Sequence, residues 1–158
     1  MVILGIDPGV ERTGYGVIKV SKKTLKCVDY GCIFTDKSLN IPQRILELSK
    51  SLSKIIKKYK PKVAGVENIF FFKNLKTAVK VSEARGAILL TLAKNNIEML
   101  EFTPLQVKMA LIGYGRADKG QIQKMVKEIL KLKEIPKPDD AADAMAVAIC
   151  AVRQLKLV

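Results

Sequence analysis

Short apolar runs and segments with helical spacing alternate along the chain. The apolar or alternating runs are bounded by Gly, Pro and Lys-rich turns and predict strands over Val2–Asp7, Thr13–Val20, Leu25–Thr35, Lys62–Glu67 and Ile97–Phe102. Helical spacing predicts helices over Pro42–Tyr59, over Leu75–Asn95 with an interruption at Gly86, from Thr103-Pro104 with Thr103 as N-cap, over about Lys119–Leu132, and over about Asp139–Leu155. This order predicts an α/β fold with a mixed five-stranded sheet, three antiparallel strands and then parallel ones, and helices on both faces.

The charge of the chain favours a polyanionic partner. Lys and Arg number 28 against 15 Asp and Glu, a formal net charge of +13. Such an excess attracts nucleic acid. A solvated surface of ion pairs is the alternative, but it needs acids in comparable numbers. Composition is even across the 158 residues, which predicts one domain, residues 1–158.

Cysteine usage and hydropathy bear on the compartment. Cys27, Cys32 and Cys150 form no CxxC pair, and the odd count favours a reducing environment. The first residues lack the pattern of a secretory leader, and no apolar run approaches the ~18 residues of a membrane span. The sequence therefore predicts a cytoplasmic protein.

Two of the predicted strands end in an acid. Asp7 and Glu67 each close an apolar run. If the two strands are parallel, both carboxylates project from the sheet edge where α/β folds place ligands. Adjacent strands lie ~4.8 Å apart, close enough for the carboxylates to bridge cations. Taken alone, either acid could simply mark a strand end.

Two further acids share one face of the last predicted helix. Asp140 and Asp143 are three positions apart in DDAADAMAVAICA. The alanines around Asp143 predict close packing on the sheet, where a buried acid needs a counter-charge. Alternatively, these acids stabilise the helix start, with Asp139 or Asp140 as the cap.

The donor types restrict the metal. The sequence contains no histidine, and its cysteines are not paired in a zinc motif. Carboxylate ligands select hard cations such as Mg²⁺ or Mn²⁺, so we predict Mg²⁺, two per active site, with Mn²⁺ as the alternative. Without a histidine base, the cations must activate water, which favours phosphodiester hydrolysis.

Aromatic and basic residues supply candidate DNA contacts. In ENIFFFKN, Phe70 or Phe71 could stack on an unpaired base, a contact worth ~1 to 3 kcal/mol, although some of these rings should be core. Basic candidates for phosphate contacts, each also explained as solvated surface, are Lys73, Lys76, Lys80, Arg85, Lys108, Arg116 and Lys119.

The first loop admits a rival interpretation. IDPGVERTGYG fits D-x-G-x4-G, the phosphate loop of actin-like ATPases. Those proteins need a second phosphate loop and a longer, two-lobed chain, and neither is visible. Gly9, Gly14 and Gly16 are equally explained by a tight hairpin.

Five segments across nearly the whole chain resemble the RuvC Holliday junction resolvases. They are LGIDPGVERTGYGVI, VENIFFFKN, EARG, QVKMALIGYGRADKGQIQKMV and PDDAADAMAVAI. The resemblance implies an RNase H-like fold and a metal-dependent endodeoxyribonuclease. Such an enzyme nicks four-way junctions symmetrically during recombination and repair and leaves 5′-phosphate and 3′-hydroxyl ends. A catalytically silent junction-binding protein is the alternative.

The same resemblance implies roles for particular residues. Asp7, Glu67, Asp140 and Asp143 match the catalytic metal-binding acids, with Asp139 an open alternative to Asp140. Lys108 and Lys119 match basic residues near the scissile phosphate, and Phe70 matches the base-stacking aromatic.

The resemblance also implies partners. These are a second copy of the chain and the RuvA and RuvB branch-migration proteins. Helix Leu75–Asn95 would supply much of the homodimer contact, since its apolar residues exceed one buried stripe. Burial of this helix within the monomer is the alternative.

Overall fold

The computed structural model describes residues 1–22, 24–68 and 75–157, with backbone alone for 75–77. Its strands are β1 (Val2–Asp7), β2 (Arg12–Ser21), β3 (Thr24–Phe34), β4 (Val63–Glu67) and β5 (Glu98–Phe102). They form one five-stranded sheet in the order β3-β2-β1-β4-β5. Strands β1, β2 and β3 pair antiparallel, whereas β4 is parallel to both β1 and β5. The predicted mixed sheet is confirmed.

Helices cover both faces of the sheet, as predicted. They are α1 (Ile41–Tyr59), α2 (Leu75–Lys94), α3 (Pro104–Ile112), α4 (Lys119–Leu130) and α5 (Asp139–Gln154). One core cluster joins α1 and α2 to Leu4 and Ile6 of β1, and the other joins α3, α4 and α5 to Ile3. The alternation of side chains along a strand produces this division. Among the described residues, none of the helices has the length and apolar character of a membrane span.

The predicted interruption of α2 at Gly86 is wrong. The helix continues through this residue. Buried Ala84 and Ile88 on either side anchor the helix to the core. A glycine in a helix costs only about 1 kcal/mol relative to alanine, so tertiary packing overrides it.

Two capping boxes set the starts of the helices that approach the carboxyl edge. Thr103 accepts a hydrogen bond from the Gln106 backbone N–H at 3.1 Å, and this confirms the predicted N-cap of α3. Asp118 accepts from Gln121 in the same way, at 2.8 Å, and begins α4. The caps satisfy amides that would otherwise lack partners at each helix start.

Glycines let α5 approach the middle of the sheet closely. A Cβ atom on Gly5 would lie 2.0 Å from the Ala144 carbonyl oxygen, and one on Gly14 would lie 1.9 Å from the Asp140 carbonyl oxygen. Both are far below van der Waals contact. The hairpin explanation of Gly14 and Gly16 is therefore wrong, because both lie within β2 under α5.

The first loop does make a tight turn. A Cβ atom on Gly9 would lie 2.2 Å from the Arg12 carbonyl oxygen. The Thr13 hydroxyl closes the turn by donating to the Gly9 carbonyl at 2.6 Å. For this glycine the predicted turn is confirmed.

Replacing a sheet glycine beneath α5 is expected to be strongly destabilising. Gly14→Ala should lower the free energy of unfolding by about 3 kcal/mol or more, because helix backbone occupies the position of the new methyl group. Urea unfolding in EDTA measures this. Gly120→Ala is the control, because its Cβ would meet only the end of the exposed Asp118 side chain at 3.3 Å. Equal stabilities of the two variants would contradict the close-packing explanation.

Candidate active site

Asp7 and Glu67 lie side by side at the carboxyl edge of the sheet. Strands β1 and β4 are parallel, and the pairing of Ile6 with Val66 makes the two acids the next residues on neighbouring strands. The Asp7 carboxyl donates a hydrogen bond to Glu67. The structure thus brings together the two acids that the strand pattern singled out.

Helix α5 adds Asp140 and Asp143 to this pair. Its first turns pass over β1 and β2, where the glycines admit its backbone. The charges of Glu67, Asp143 and Asp140 all act on Asp7. Four acids that are distant in the chain therefore converge on one region, which we call the acid cluster.

Burial and like charge disfavour ionisation of three of these acids, Asp7, Glu67 and Asp143. Burial, followed by the charges of Glu67, Asp143 and Asp140, raises the pKa of Asp7 to about 8. Burial and the charge of Asp143 raise the pKa of Glu67 to about 7. Burial also raises the pKa of Asp143. The site therefore carries negative charge only at a free-energy cost unless a cation is present.

Lys119 offsets part of this charge. It is the first residue of α4, and its Nζ lies 3.1 Å from Asp143 Oδ2 and 3.3 Å from Asp139 Oδ2. Partial burial opposes the lysine charge, but the hydrogen bonds and charges of the two aspartates outweigh it and raise its pKa. The capped start of α4 thus holds the positively charged Lys119 side chain beside the acid cluster.

Asp139 and Asp140 have different surroundings. The Asp139 side chain is 64% exposed, pairs with Lys119 and accepts a 3.1 Å hydrogen bond from Gln123. Asp140 is 23% exposed, with Arg12 Nε 3.6 Å from its buried Oδ2, and this oxygen accepts no hydrogen bond from the described part of the chain. Neither acid caps α5, because Pro138 occupies the N-cap without a side-chain hydrogen bond. The capping explanation is wrong.

Two cavities flank the acid cluster. The smaller, of about 180 Å³, lies between α3, α4 and α5 and is lined by Glu67, Asp143, Lys108 and Lys119 together with apolar side chains. We call it the lysine cleft. The larger, of about 520 Å³, is lined by Gly9, Val10, Glu11, Arg12, Arg44, Lys80, Val81 and Asp140. We call it the arginine cavity.

The donor chemistry of the acid cluster fits a hard divalent cation. The donor atoms it could offer are carboxylate oxygens, and a buried Asp140 oxygen has no hydrogen-bond partner among the described residues. Within the described parts of the chain, no group of three acid or thiol side chains is already arranged to hold a metal ion. Asp7 is instead hydrogen-bonded to Glu67, and Asp143 forms an ion pair with Lys119. A cation would replace these contacts.

The described basic candidates fall in different places. Lys108 lines the lysine cleft and Lys80 the arginine cavity. Arg116 is exposed in the loop before α4. Arg85 forms an ion pair with Glu101 of β5, and its side chain is 20% exposed. The structure therefore does not bring Arg85 together with the acid cluster.

The other candidates lie outside what the structure describes. They are Phe70, Phe71 and Lys73, and the side chain of Lys76. Their proposed contacts with bases and phosphates stay predictions.

Sequence reasoning overlooked Arg12 and Arg44. Both line the arginine cavity. Arg44 carried a usable signal, since it begins the buried stripe of α1 that continues through Leu48 and Leu52. A charged residue on a buried helical stripe indicates a polar function for that position.

Comparisons with known proteins cover nearly the whole chain. The family model described as crossover junction endodeoxyribonuclease RuvC matches residues 3–151. A protein of that name from Petrotoga mobilis is 53% identical over 150 residues, 95% of this chain and 92% of its own length. Its counterpart from Caldicellulosiruptor saccharolyticus is 54% identical over 153 residues, 96% of this chain and 92% of its own.

A solved structure has the same fold. Thermus thermophilus RuvC, in complex with a Holliday junction substrate, superimposes with a TM-score of 0.90 at 28% identity, over 99% of this chain and 96% of that one. The expected RNase H-like fold is confirmed. By the family model, the relatives and the shared fold, this chain belongs to the RuvC family of crossover junction endodeoxyribonucleases.

Proposed function

We propose that the protein resolves four-way DNA junctions by metal-dependent hydrolysis of two phosphodiester bonds. The observation that carries the proposal is the acid cluster beside the lysines, at the sheet edge where this fold class places ligands. The net charge of +13 supports a DNA substrate. Membership of the family supports both the reaction, cleavage of DNA, and the substrate, a four-way junction.

Asp7, Glu67, Asp140 and Asp143 would hold the cations, which we propose to be two Mg²⁺ ions with Mn²⁺ as a substitute. Bound there, the cations would polarise the scissile phosphate and lower the pKa of the attacking water. Asp140 is preferred over Asp139 as a ligand because its charge acts on Asp7 and its buried oxygen lacks a partner. Asp139 instead orients Lys119.

The lysine cleft would receive the scissile phosphate. Lys119, oriented by Asp139, and Lys108 would neutralise its non-bridging oxygens. The water oxygen forms a bond to phosphorus, the bond from phosphorus to the 3′ oxygen breaks, and that oxygen takes up a proton. The products are a 5′-phosphate and a 3′-hydroxyl end.

Two nicks on one junction require two active sites, and we propose a homodimer formed through α2. Val79 is 59% exposed and Leu90 is 56% exposed. With exposed Gly86 they share one helical face, which would allow a second copy to approach closely.

The remaining proposals rest on family membership and on the sequence. Residues 1–158 would act as one nuclease domain in the cytoplasm. Its partners would be the RuvA and RuvB branch-migration proteins. The unpaired cysteines support a reducing compartment.

Glu67→Gln should abolish cleavage and preserve binding. The change removes a charge from the acid cluster but no basic DNA contact, so cleavage of a four-way junction in Mg²⁺ should fall by more than about 100-fold. Junction affinity measured in EDTA should not fall. Glu98→Gln is the matched control, because Glu98 pairs with Val63 at the other end of the parallel strands.

Two results would count against this assignment. Retained cleavage by Glu67→Gln would contradict the assignment of the active site to the acid cluster. Absence of cleavage by the wild type would favour a protein that binds junctions without cutting them. Equal cutting of a junction and of linear duplex would leave a nuclease but eliminate junction resolution.

Mg²⁺ should stabilise the fold more at high pH than at low pH. The folded protein keeps protons on Asp7 and Glu67 that the unfolded chain has released, so metal-free stability falls as pH rises from about 4 to about 8. Bound Mg²⁺ offsets this loss. The rise in melting temperature that Mg²⁺ causes should therefore grow between about pH 5 and about pH 8.

Asp7→Asn tests the origin of this effect. In EDTA at about pH 8 the variant should be more stable than the wild type by on the order of 2 kcal/mol, since a strained charge is gone. Mg²⁺ should then raise the melting temperature of Asp7→Asn by less than it raises that of the wild type. The same Mg²⁺ increment at both pH values, or in both proteins, would contradict cation binding at the acid cluster.

Leu90→Glu should convert the dimer to a monomer, because it places a charge in the proposed interface. Sedimentation velocity measures the change. Leu105→Glu is the control, since Leu105 is 60% exposed on α3. A Leu90→Glu protein that remains dimeric would exclude this face of α2.

A further inference from the structure

The arginine cavity adjoins the acid cluster but takes no part in the hydrolysis described above. Asp140 belongs to its wall, so the cavity and the acid cluster share a residue. Three cationic side chains, Arg12, Arg44 and Lys80, come from the start of β2, α1 and α2. Elements distant in sequence thus converge on a second, basic site.

Arg44 is held rigidly in the cavity wall with unused hydrogen-bonding capacity. The residue is only 8% exposed. Its Nε donates to Thr35 Oγ1 at 2.9 Å, and the Thr35 hydroxyl donates to the Val10 carbonyl at 2.6 Å. One terminal nitrogen of its guanidinium has no hydrogen-bond partner among the residues that the structure describes. A buried charged donor without a partner is costly, so its retention points to a ligand.

The acids in the wall do not satisfy this guanidinium. Glu11 is bound by Lys37 at 2.9 Å, and this contact, more than the charges of Arg44 and Arg12, lowers its pKa. Asp140 lies nearest to Arg12. In the described part of the chain, neither acid is within ion-pair distance of Arg44. Glu11 is thus paired with Lys37, and the three cationic side chains in the wall outnumber Asp140, so the cavity carries a net positive charge.

The chemistry of the wall favours a phosphate group. A guanidinium presents donors in a planar fork that matches two phosphate oxygens. Lys80 and Arg12 are exposed enough to close on the outer oxygens. Because Asp140 lies between the cavity and the acid cluster, a phosphate here would be close to the one that is cleaved.

Given the proposed function, we propose that the arginine cavity binds a backbone phosphate of the cleaved DNA strand within one or two nucleotides of the scissile bond. Arg44 donates hydrogen bonds to the phosphate, and Arg12 and Lys80 contact its outer oxygens. The contact fixes the register of the strand, so that the scissile phosphate meets the acid cluster.

The test measures junction binding in EDTA, where cleavage is irrelevant. Single phosphates around the cleavage point are replaced, one at a time, by neutral methylphosphonate. One replacement should weaken binding to the wild type about ten-fold and leave binding to Arg44→Gln unchanged. Arg44→Gln should itself bind the unmodified junction about ten-fold more weakly. If every replacement weakens both proteins equally, the proposal is overturned.

Lys80→Ala keeps the test decisive if the buried substitution disturbs folding. Lys80 is exposed, and its variant should also lose sensitivity to the same replacement. Lys26→Ala is the control, since Lys26 pairs with Lys19 at the opposite end of the sheet, about 17 Å from Gly14 along β2. Binding by Lys80→Ala that matches the control in affinity and in sensitivity would overturn the proposal.

A second arm separates DNA from a free anion. Inorganic phosphate is titrated into the metal-free protein while the Arg44 Nε–H resonance is followed by NMR. Weak binding that the unmodified junction displaces supports the proposal. Tight phosphate binding that the junction does not displace would assign the cavity to a free anion and would contradict it. Neither arm of this test measures cleavage. If the nuclease function is wrong, the wild-type protein will not cut the junction, and this result is independent of the binding measurements.

Discussion

The close approach of the α5 backbone to the middle strands is the constraint on which the site depends. The Asp140 carbonyl oxygen occupies the place where a side chain on Gly14 would begin, and the Ala144 carbonyl does the same above Gly5. Because α5 lies this low, acids from its first turns reach the end of β1. A helix held further out by larger side chains would separate Asp140 and Asp143 from Asp7. The glycines therefore belong to the functional design although they carry no chemistry.

The fold tolerates an electrostatically unfavourable region at this edge. Asp7 is hydrogen-bonded to Glu67, and Asp143 forms an ion pair with Lys119. These contacts reduce the repulsion that the cluster would otherwise generate. They are also contacts that a cation replaces, so the strain in the metal-free protein favours binding. Stability and function are opposed at such a site, as is common where charge is concentrated for catalysis.

Much of the fold was predictable because the apolar pattern is strong. Strand Val2–Asp7 was placed at its observed bounds, and each long helix was placed within a few residues. The predictions at Gly86 and Gly14 are wrong for different reasons. At Gly14 the backbone of α5 lies where a side chain would begin. At Gly86 nothing lies close to the glycine, and the buried neighbours Ala84 and Ile88 hold the helix in place.

The candidate site was partly predictable as well. Acids at strand ends and at helical spacing could be singled out locally, and the sheet topology then brought them together. The sequence did not single out Arg44, because the cavity that it lines is formed by three separate elements. The choice between Asp139 and Asp140 likewise needed the orientation of α5 relative to Arg12 and Lys119.

Anomalous diffraction from crystals soaked in Mn²⁺ would show whether the acid cluster binds a divalent cation. We expect an ordered cation with carboxylate oxygens of Asp7 and Glu67 at about 2.2 Å, joined by an oxygen of Asp140 or Asp143. Mn²⁺ bound only elsewhere on the molecule, or an acid cluster without Mn²⁺ at saturating concentration, would contradict it.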